Sequence, residues 1–154
     1  MKKISLYLIL LIFVSNCGFK VVDMSEQNNF SITNIETAGE SKINYIIKNN
    51  LLKSTRKDIN EINIKLETEK IRSIKEKNIK NEITKYQIDI SVKINVINEL
   101  NENMREINII ESGHYNITSQ HYKTLNNEKK LIDLLTDSLS DKITEELILI
   151  LNDI

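Results

Sequence analysis

The clearest pattern of hydrophobic and polar residues in this chain is a strict alternation from Tyr86 to Val96. The apolar residues are Tyr86, Ile88, Ile90, Val92, Ile94 and Val96, and each residue between them is polar. A period of two places all the apolar side chains on one face of a sheet, and β-branched residues suit that pleated surface. The segment therefore predicts a long strand with one buried face.

Three shorter patterns predict further strands. They are marked by Phe30, Ile32 and Ile35, by Ile62, Ile64 and Leu66, and by Ile107 and Ile109, each time among polar residues. The polar run 98–103 predicts a turn before the last of these strands. Gly113 within that strand is typical of a bulge or of a close backbone approach.

Two segments have helical spacing instead. Ser41 is the predicted N-cap of a helix whose apolar residues lie three or four positions apart, namely Ile43, Ile46, Ile47 and Leu51. A second helix is predicted from about Asn126 to Ile154, with an apolar stripe formed by Leu131, Leu134, Leu135, Leu139, Ile143, Leu147, Ile150 and Leu151. Its last turns, 147–151, are apolar on all sides, and an exposed apolar end usually contacts another surface.

The order of these elements, β-α-β-β-β-α, predicts an α+β fold. We expect a two-layer sandwich with one mostly antiparallel sheet of about four strands and two helices packed on one of its faces. Lys, Asp, Gln and Asn alternate with the apolar residues of the longest strand. The other face of the sheet is therefore expected to meet water or a polar partner.

The first residues predict an exported protein. Lys2 and Lys3 precede an apolar run, 4–14, and small residues then lead to Cys17, which is the pattern of a signal peptide over residues 1–16. The run is shorter than the roughly 20 residues that span a bilayer. A cysteine at the cut site resembles a bacterial lipobox, in which the thiol is acylated, for example by palmitate. Asn16 stands where a smaller residue is usual.

Three regions follow from this pattern: the signal peptide 1–16, a lipidated tether 17–28, and one domain, 29–154. Cys17 is the single cysteine, so the chain forms no internal disulfide. An unpaired cysteine in an exported protein needs a reason, and acylation supplies one. The alternative is a buried or free thiol in an uncleaved chain.

Composition excludes some classes of function. The formal net charge is −1 and both signs are interleaved, so no global field attracts nucleic acid, and we expect no nucleic-acid partner. The chain has no nucleophile motif and no glycine-rich phosphate loop, and we expect neither an enzyme nor a cofactor. His114 and His121, with Glu111 nearby, have no spacing that fixes a metal geometry, so we expect no metal site.

Basic residues gather between the second and third predicted strands: Lys70, Arg72, Lys75, Lys77 and Lys80. Glu69, Glu76 and Glu82 are interleaved with them. The cluster is compatible with a solvated hairpin tip and with an anion-binding site.

Three short motifs, in this order of elements, resemble a known family. They are Cys17-Gly18-Phe19 after the leader, Thr84-Lys85-Tyr86-Gln87-Ile88 at the start of the longest strand, and Asn127-Glu128, which opens the last predicted helix. Together they are similar to LptE, the lipopolysaccharide-assembly lipoprotein family of Gram-negative outer membranes. Many members continue the first motif with a proline, where this chain has Lys20-Val21-Val22.

The resemblance implies a function without catalysis. It implies an outer-membrane lipoprotein at the periplasmic face, held by its lipid anchor, that plugs an LptD-type β-barrel and assists its assembly. That complex places lipopolysaccharide in the outer leaflet. Gly18 after the cysteine fits export onward to the outer membrane. Direct contact with lipopolysaccharide phosphates is expected at Lys75, Lys77, Lys80 and Lys85.

Two other classes of function compete with this one. A periplasmic lipid- or solute-binding lipoprotein of an uptake system would need a sizeable apolar pocket, whereas the closely spaced Ile and Leu residues predict a filled core. An envelope hydrolase or its inhibitor is the other, and an enzyme would need titratable groups that converge in a cleft.

Overall fold

A computed structural model describes residues 30–54, 61–98 and 104–152. The elements are β1 (Ser31–Gly39), α1 (Ser41–Lys53), β2 (Glu61–Lys77), β3 (Ile83–Asn98), β4 (Met104–Asn116) and α2 (His121–Asn152). This is the predicted order, and the predicted α+β class is confirmed. The predicted signal peptide 1–16 and tether 17–28, including Cys17, lie outside the described residues.

The four strands form one sheet in the order of the sequence. β2 pairs antiparallel with β3, and β3 with β4. β1 pairs parallel with β2, so the sheet is mostly antiparallel, as predicted, and this one pair differs from the other two. α1 explains the difference, because a helix between two strands carries the chain back to the end at which a parallel neighbour begins.

One face of the sheet and the inner faces of both helices form the core. The alternation of β3 is confirmed, since Ile88, Ile90 and Ile94 are completely buried. β2 contributes Ile62, Ile64 and Leu66, and the two helices contribute Ile43, Ile47, Leu51, Leu139, Ile143 and Leu147. Burial of each such side chain contributes about 1.5–3 kcal/mol, so this layer is the main source of stability.

Small polar residues line the contact between the helices. Thr136, Ser140 and Thr144 of α2 are buried, and each hydroxyl donates to the carbonyl four residues earlier, at 2.7, 2.9 and 2.9 Å. Ser140 also accepts from Asn50 Nδ2 of α1 at 3.3 Å. Because α2 turns this row toward α1, Leu134 of the predicted apolar stripe is 68% exposed.

The connection from β1 to α1 is held by a buried polar corner. Gly39 has a φ of +91°, and a Cβ there would overlap the Thr68 carbonyl oxygen. Glu40, not Ser41, occupies the N-cap of α1 and makes no side-chain capping bond. Its N–H donates to Thr68 Oγ1 at 3.1 Å, and Thr68 Oγ1 donates to Asn44 Oδ1 at 2.9 Å.

Gly113 marks a close approach and not a bulge. The register between β3 and β4 is continuous past it, and a Cβ at this position would lie 2.6 Å from Leu131 Cδ1 of α2. The missing side chain therefore lets α2 pack directly against β4.

α2 begins five residues before the predicted start. Tyr122 and Leu125 in its first turns are exposed. These turns therefore have no buried apolar stripe from which the sequence could predict them. Thr118 precedes the helix, and its N–H donates to Thr124 Oγ1 at 2.9 Å. In the parts of the chain that the structure describes, no helix is both long and apolar enough to cross a membrane.

Candidate functional site: an open sheet face and a long hairpin

The sheet has a second face that neither helix covers, which we call the open face. On β2, β3 and β4 it includes Lys65, Glu67, Glu69, Ile71, Ser73, Lys75, Lys85, Gln87, Asp89, Ser91, Lys93, Asn95, Glu106, Asn108, Ile110, Ser112 and His114. Most are polar, as the alternation predicts. Among the described residues, no element packs on this face.

Asp89 organises the hydrogen bonds at the centre of the open face. Its carboxylate accepts from Ser112 Oγ at 2.6 Å and from Gln87 Nε2 at 2.7 Å. Gln87 in turn accepts from Lys75 Nζ at 2.9 Å. The bond from Ser112 and then that from Gln87 lower the pKa of Asp89, because both donors favour the charged carboxylate.

A second polar group crosses from β3 to β4. Lys93 pairs with Glu106 at 2.8 Å, and Glu106 also accepts from Asn108 Nδ2 at 3.0 Å. The hydrogen bond with Lys93 lowers the pKa of Glu106, and the same bond raises the pKa of Lys93. Such exposed pairs contribute little to stability. The open face therefore carries both positive and negative charges.

The open face contains a shallow depression of about 660 Å³. Its lining includes Glu67, Glu69, Ser91, Lys93 and Ile110, with the backbone of Gly39 at one side. Pockets for small ligands are concave and mostly apolar, with a few polar groups. This depression is open, and Glu67, Glu69 and Lys93 give it charges of both signs, so it is better suited to the surface of a macromolecule than to an enclosed small ligand.

The predicted lysines lie on a hairpin that is longer than the sequence pattern indicated. β2 continues to Lys77, so Lys70, Arg72 and Lys75 belong to a strand and not to a loop. The turn follows at 78–82, where the Asn78 Oδ1 accepts from the N–H groups of Lys80 and Glu82 at 2.9 and 3.0 Å. Asn81 has a φ of +65°, a conformation that asparagine tolerates.

The structure brings Lys75, Lys77, Lys80 and Lys85 to this one end of the molecule. Lys77 Nζ donates to Asn81 Oδ1 at 3.1 Å, and Lys85 pairs with Glu76 at 2.5 Å. The hydrogen bond from Lys85 and its charge lower the pKa of Glu76. One of the four candidate lysines therefore already has a carboxylate partner.

An aromatic cluster at the base of the hairpin was missed by the sequence analysis. The Arg72 guanidinium lies 4.7 Å from the centre of the Tyr86 ring, and Tyr86 lies 5.8 Å from the ring of Tyr115. Glu128 of α2 is 3.7 Å from Arg72. Two motifs that carry the family resemblance, those of Tyr86 and Glu128, thus meet through Arg72 and Tyr115.

The neighbours of Arg72 stabilise the charged form of its guanidinium group. The hydrogen bond with Tyr115, and then the charges of Tyr115 and Glu128, raise the pKa of Arg72. Burial, followed by the hydrogen bond with Glu128, raises the pKa of Tyr115. The alternation of side chains along β2 is a sequence signal for this cluster. Residue 72 lies on the same sheet face as the buried Leu66, and an arginine on that face needs polar or aromatic partners.

The two histidines do not converge with Glu111. His114 is on the open face of β4, and His121 begins α2. Glu111 faces α2, where it accepts from Ser138 Oγ at 3.3 Å and pairs with Lys142. Within residues 30–54, 61–98 and 104–152, no group of three potential ligands is arranged to hold a metal ion.

Solved structures with a similar fold come from bacterial lipoproteins. Uncharacterized lipoprotein B from Nitrosomonas europaea aligns with a TM-score of 0.64 and 12% identity, over 88% of this chain and 93% of that one. Rare lipoprotein B from Shewanella oneidensis aligns with a TM-score of 0.58 and 10% identity, over 74% of this chain and 92% of that one. A lipoprotein from Caulobacter crescentus CB15 aligns with a TM-score of 0.54 and 18% identity, over 77% and 90%.

No protein-family model and no curated protein matches the chain. At these identities, the similarity concerns the fold. It covers nearly the whole length of each lipoprotein, so the common unit is the complete β-α-β-β-β-α domain.

Proposed function

We propose that this chain is a lipid-anchored lipoprotein of the bacterial outer membrane that acts as LptE does. In this proposal it sits inside an LptD-type β-barrel, assists assembly of that barrel, and takes part in transport of lipopolysaccharide to the outer leaflet. Cys17 is the lipidated residue in this proposal. The leader pattern and the fold that the chain has in common with bacterial lipoproteins support it.

The observation that carries the proposal is the open face of the sheet. The interior of a membrane barrel is polar and in some barrels is plugged by polypeptide. A sheet whose second face carries Asp89, Ser91 and Lys93 in place of a second apolar layer can lie against such a wall. The filled core on the other side keeps the domain rigid without a ligand.

Affinity purification of the tagged lipoprotein from outer membranes tests the proposal. We expect one large β-barrel to co-purify at a one-to-one ratio. Ser91→Trp should abolish this, because Ser91 lies in the middle of the open face and a bulky ring there prevents close contact. Lys129→Trp, on the exposed surface of α2, is the matched control and should retain the barrel. Recovery of small lipids or solutes without a barrel would favour the uptake-system class instead.

Lipopolysaccharide contact is the finer part of the proposal. Lys75, Lys77, Lys80 and Lys85 are its candidate residues, since their amines lie on an exposed hairpin end and lipid A carries phosphates. Reversal of Lys75, Lys77 and Lys80 to Glu should abolish binding to purified lipopolysaccharide. The control reverses Lys123, Lys129 and Lys130 of α2, which gives the same change in net charge. Binding that survives the hairpin variant, or that does not weaken with salt, would place the lipid elsewhere.

A further inference from the structure

The two edges of the sheet differ in how well they are protected. β1 has 9 residues, and its register with β2 is interrupted between Ile32 and Asn34. Side chains of α1 also reach its carbonyl groups, from Lys48 to Ile35 and from Asn44 to Ala38. Short length, irregularity and cover by a neighbouring helix are among the devices that prevent a strand edge from pairing with another strand.

β4 is long and regular instead, and its inward-pointing charge at Glu111 is paired with Lys142 of α2. It has 13 residues, and its register with β3 runs without a shift from Met104 to Asn116. It contains no proline and no lysine, and Arg105 near one end is its one cation. No strand among the described residues pairs with its outer edge. A long and regular free edge of this kind offers main-chain hydrogen bonds to an added strand.

We infer that β4 pairs antiparallel with β4 of a second copy of this chain. The two sheets would then join into one continuous sheet of eight strands, with all helices on one side and both open faces on the other. The inference concerns the chain by itself and does not depend on the proposed barrel partner.

The side chains of β4 favour this occupant because the strand is complementary to itself. When two copies overlap completely, Ile110 lies on the two-fold axis, opposite its own copy. Ile110 is 67% exposed in the single chain, so the pairing covers an apolar side chain that is otherwise in water. The other opposite pairs on the open face are Asn108 with Ser112 and Glu106 with His114.

On the helix side of the same register, Arg105 lies opposite Tyr115, Ile107 lies opposite Gly113, and Ile109 lies opposite Glu111. No two like charges face each other, whereas like charges directly opposite are destabilising. A shift of two residues in one direction would place Glu111 opposite Glu111. A shift in the other direction would separate the two copies of Ile110. The fully overlapped register is therefore the preferred one.

The helix layer has a matching exposed residue on this side. Leu134 is one turn before Ser138 and two turns before Lys142, and both of these contact Glu111 of β4. Residues four positions apart lie on one helix face, so Leu134 is on the β4 side of α2. A second copy on the β4 edge would shield this leucine as well.

The first test measures the mass of the purified full chain in a mild detergent by light scattering. We expect a dimer that dissociates on dilution. Ile110→Lys should raise its dissociation constant at least about tenfold, because two lysines would meet on the axis. At concentrations where the wild type is itself a monomer, its thermal melt should match that of the wild type, because residue 110 is mostly exposed. Ile71→Lys is the control: Ile71 is also on the open face, 51% exposed, but on β2, and this variant should stay dimeric.

Cysteine cross-linking then tests the register in a Cys17→Ser background. Ile110→Cys should form a disulfide-linked dimer, since opposite residues of an antiparallel pair have Cα atoms about 4.5–5.5 Å apart. Ser112→Cys alone should not, because its two copies would be about 14 Å apart. A mixture of Asn108→Cys and Ser112→Cys chains should cross-link. A wild-type monomer at all concentrations, a dimer that Ile71→Lys disrupts, or cross-linking of Ser112→Cys alone would overturn the inference.

Discussion

At the scale of single residues, the space around the backbone decides which glycines can be replaced by a larger residue. Gly39 is held at positive φ with the Thr68 carbonyl where its Cβ would be. Gly113 has an ordinary φ, and the nearest atom to a Cβ there is the end of the Leu131 side chain, which can rotate away. The two glycines therefore differ in what they contribute, although both look alike in the sequence.

We expect Gly39→Ala to lower the free energy of unfolding by about 2–5 kcal/mol, since it combines a steric overlap with a left-handed backbone conformation. Gly113→Ala should lower it by about 1 kcal/mol or less. Urea denaturation of the wild type and of the two variants measures both losses of free energy of unfolding. Equal losses in the two variants would contradict the distinction.

The Asp89 network predicts a dependence on pH. Because hydrogen bonds lower the pKa of Asp89 in the folded protein, its contribution to stability is present above the pKa of the unfolded chain, about 3.9. That contribution is lost as the pH falls through the folded pKa. The free energy of unfolding should therefore decline below about pH 4, and Asp89→Asn should make the decline shallower. A variant with the wild-type slope would show that this network does not contribute.

At the scale of elements, the sequence predicted correctly those strands and helices whose apolar residues recur at a regular spacing. β3 and the central part of α2 follow regular patterns, and both were found. β2 was predicted to end near Leu66 because charged residues occupy its exposed half, where no core selects apolar side chains. The helix between β1 and β2 is a sequence signal for their parallel direction. For Arg72, the alternation of β2 indicates only that the arginine needs partners, because the partners themselves lie in distant segments of the chain.

Ile90 tests the assignment of faces on β3. It is completely buried on the helix-covered face, so Ile90→Asp would place a carboxylate among aliphatic side chains at a cost of at least several kcal/mol. Total stability of a domain is about 5–15 kcal/mol, and we expect loss of cooperative folding by circular dichroism. Lys93→Glu, on the open face of the same strand, should fold normally. Soluble and cooperative Ile90→Asp protein would contradict the assignment.

At the scale of the whole molecule, the proposed role requires a domain tied to a membrane. A filled core on one face and a polar surface on the other are compatible with that proposed role, in which the lipid anchor would keep the domain at the membrane where its partner is assembled. The order of elements and their layering could be predicted from the sequence. The open edge of β4 could not, because a strand pattern does not report which strands lie at the border of a sheet.

Lipidation is the prediction that belongs to this scale. Cys17→Ser should leave an uncleaved precursor that no longer incorporates labelled fatty acid, because the serine hydroxyl cannot replace the thiol in the acylation step. Metabolic labelling followed by gel electrophoresis measures both effects. Label that persists in the serine variant would place the modification at another residue.

The parallel pairing of β1 also bears on the order in which the domain folds. Pairing of β2 with β3 and of β3 with β4 can begin next to a short connection, whereas every pair between β1 and β2 spans about as many residues as Ser31 and Glu61, which are 30 apart. Closing that longer loop costs more entropy before any contact repays it. We therefore expect β1 to join last and to open first, with amide protons that exchange with solvent faster than those of β3. This would make the N-terminal strand, next to the predicted tether, the part of the domain most readily released when the membrane pulls on the anchor.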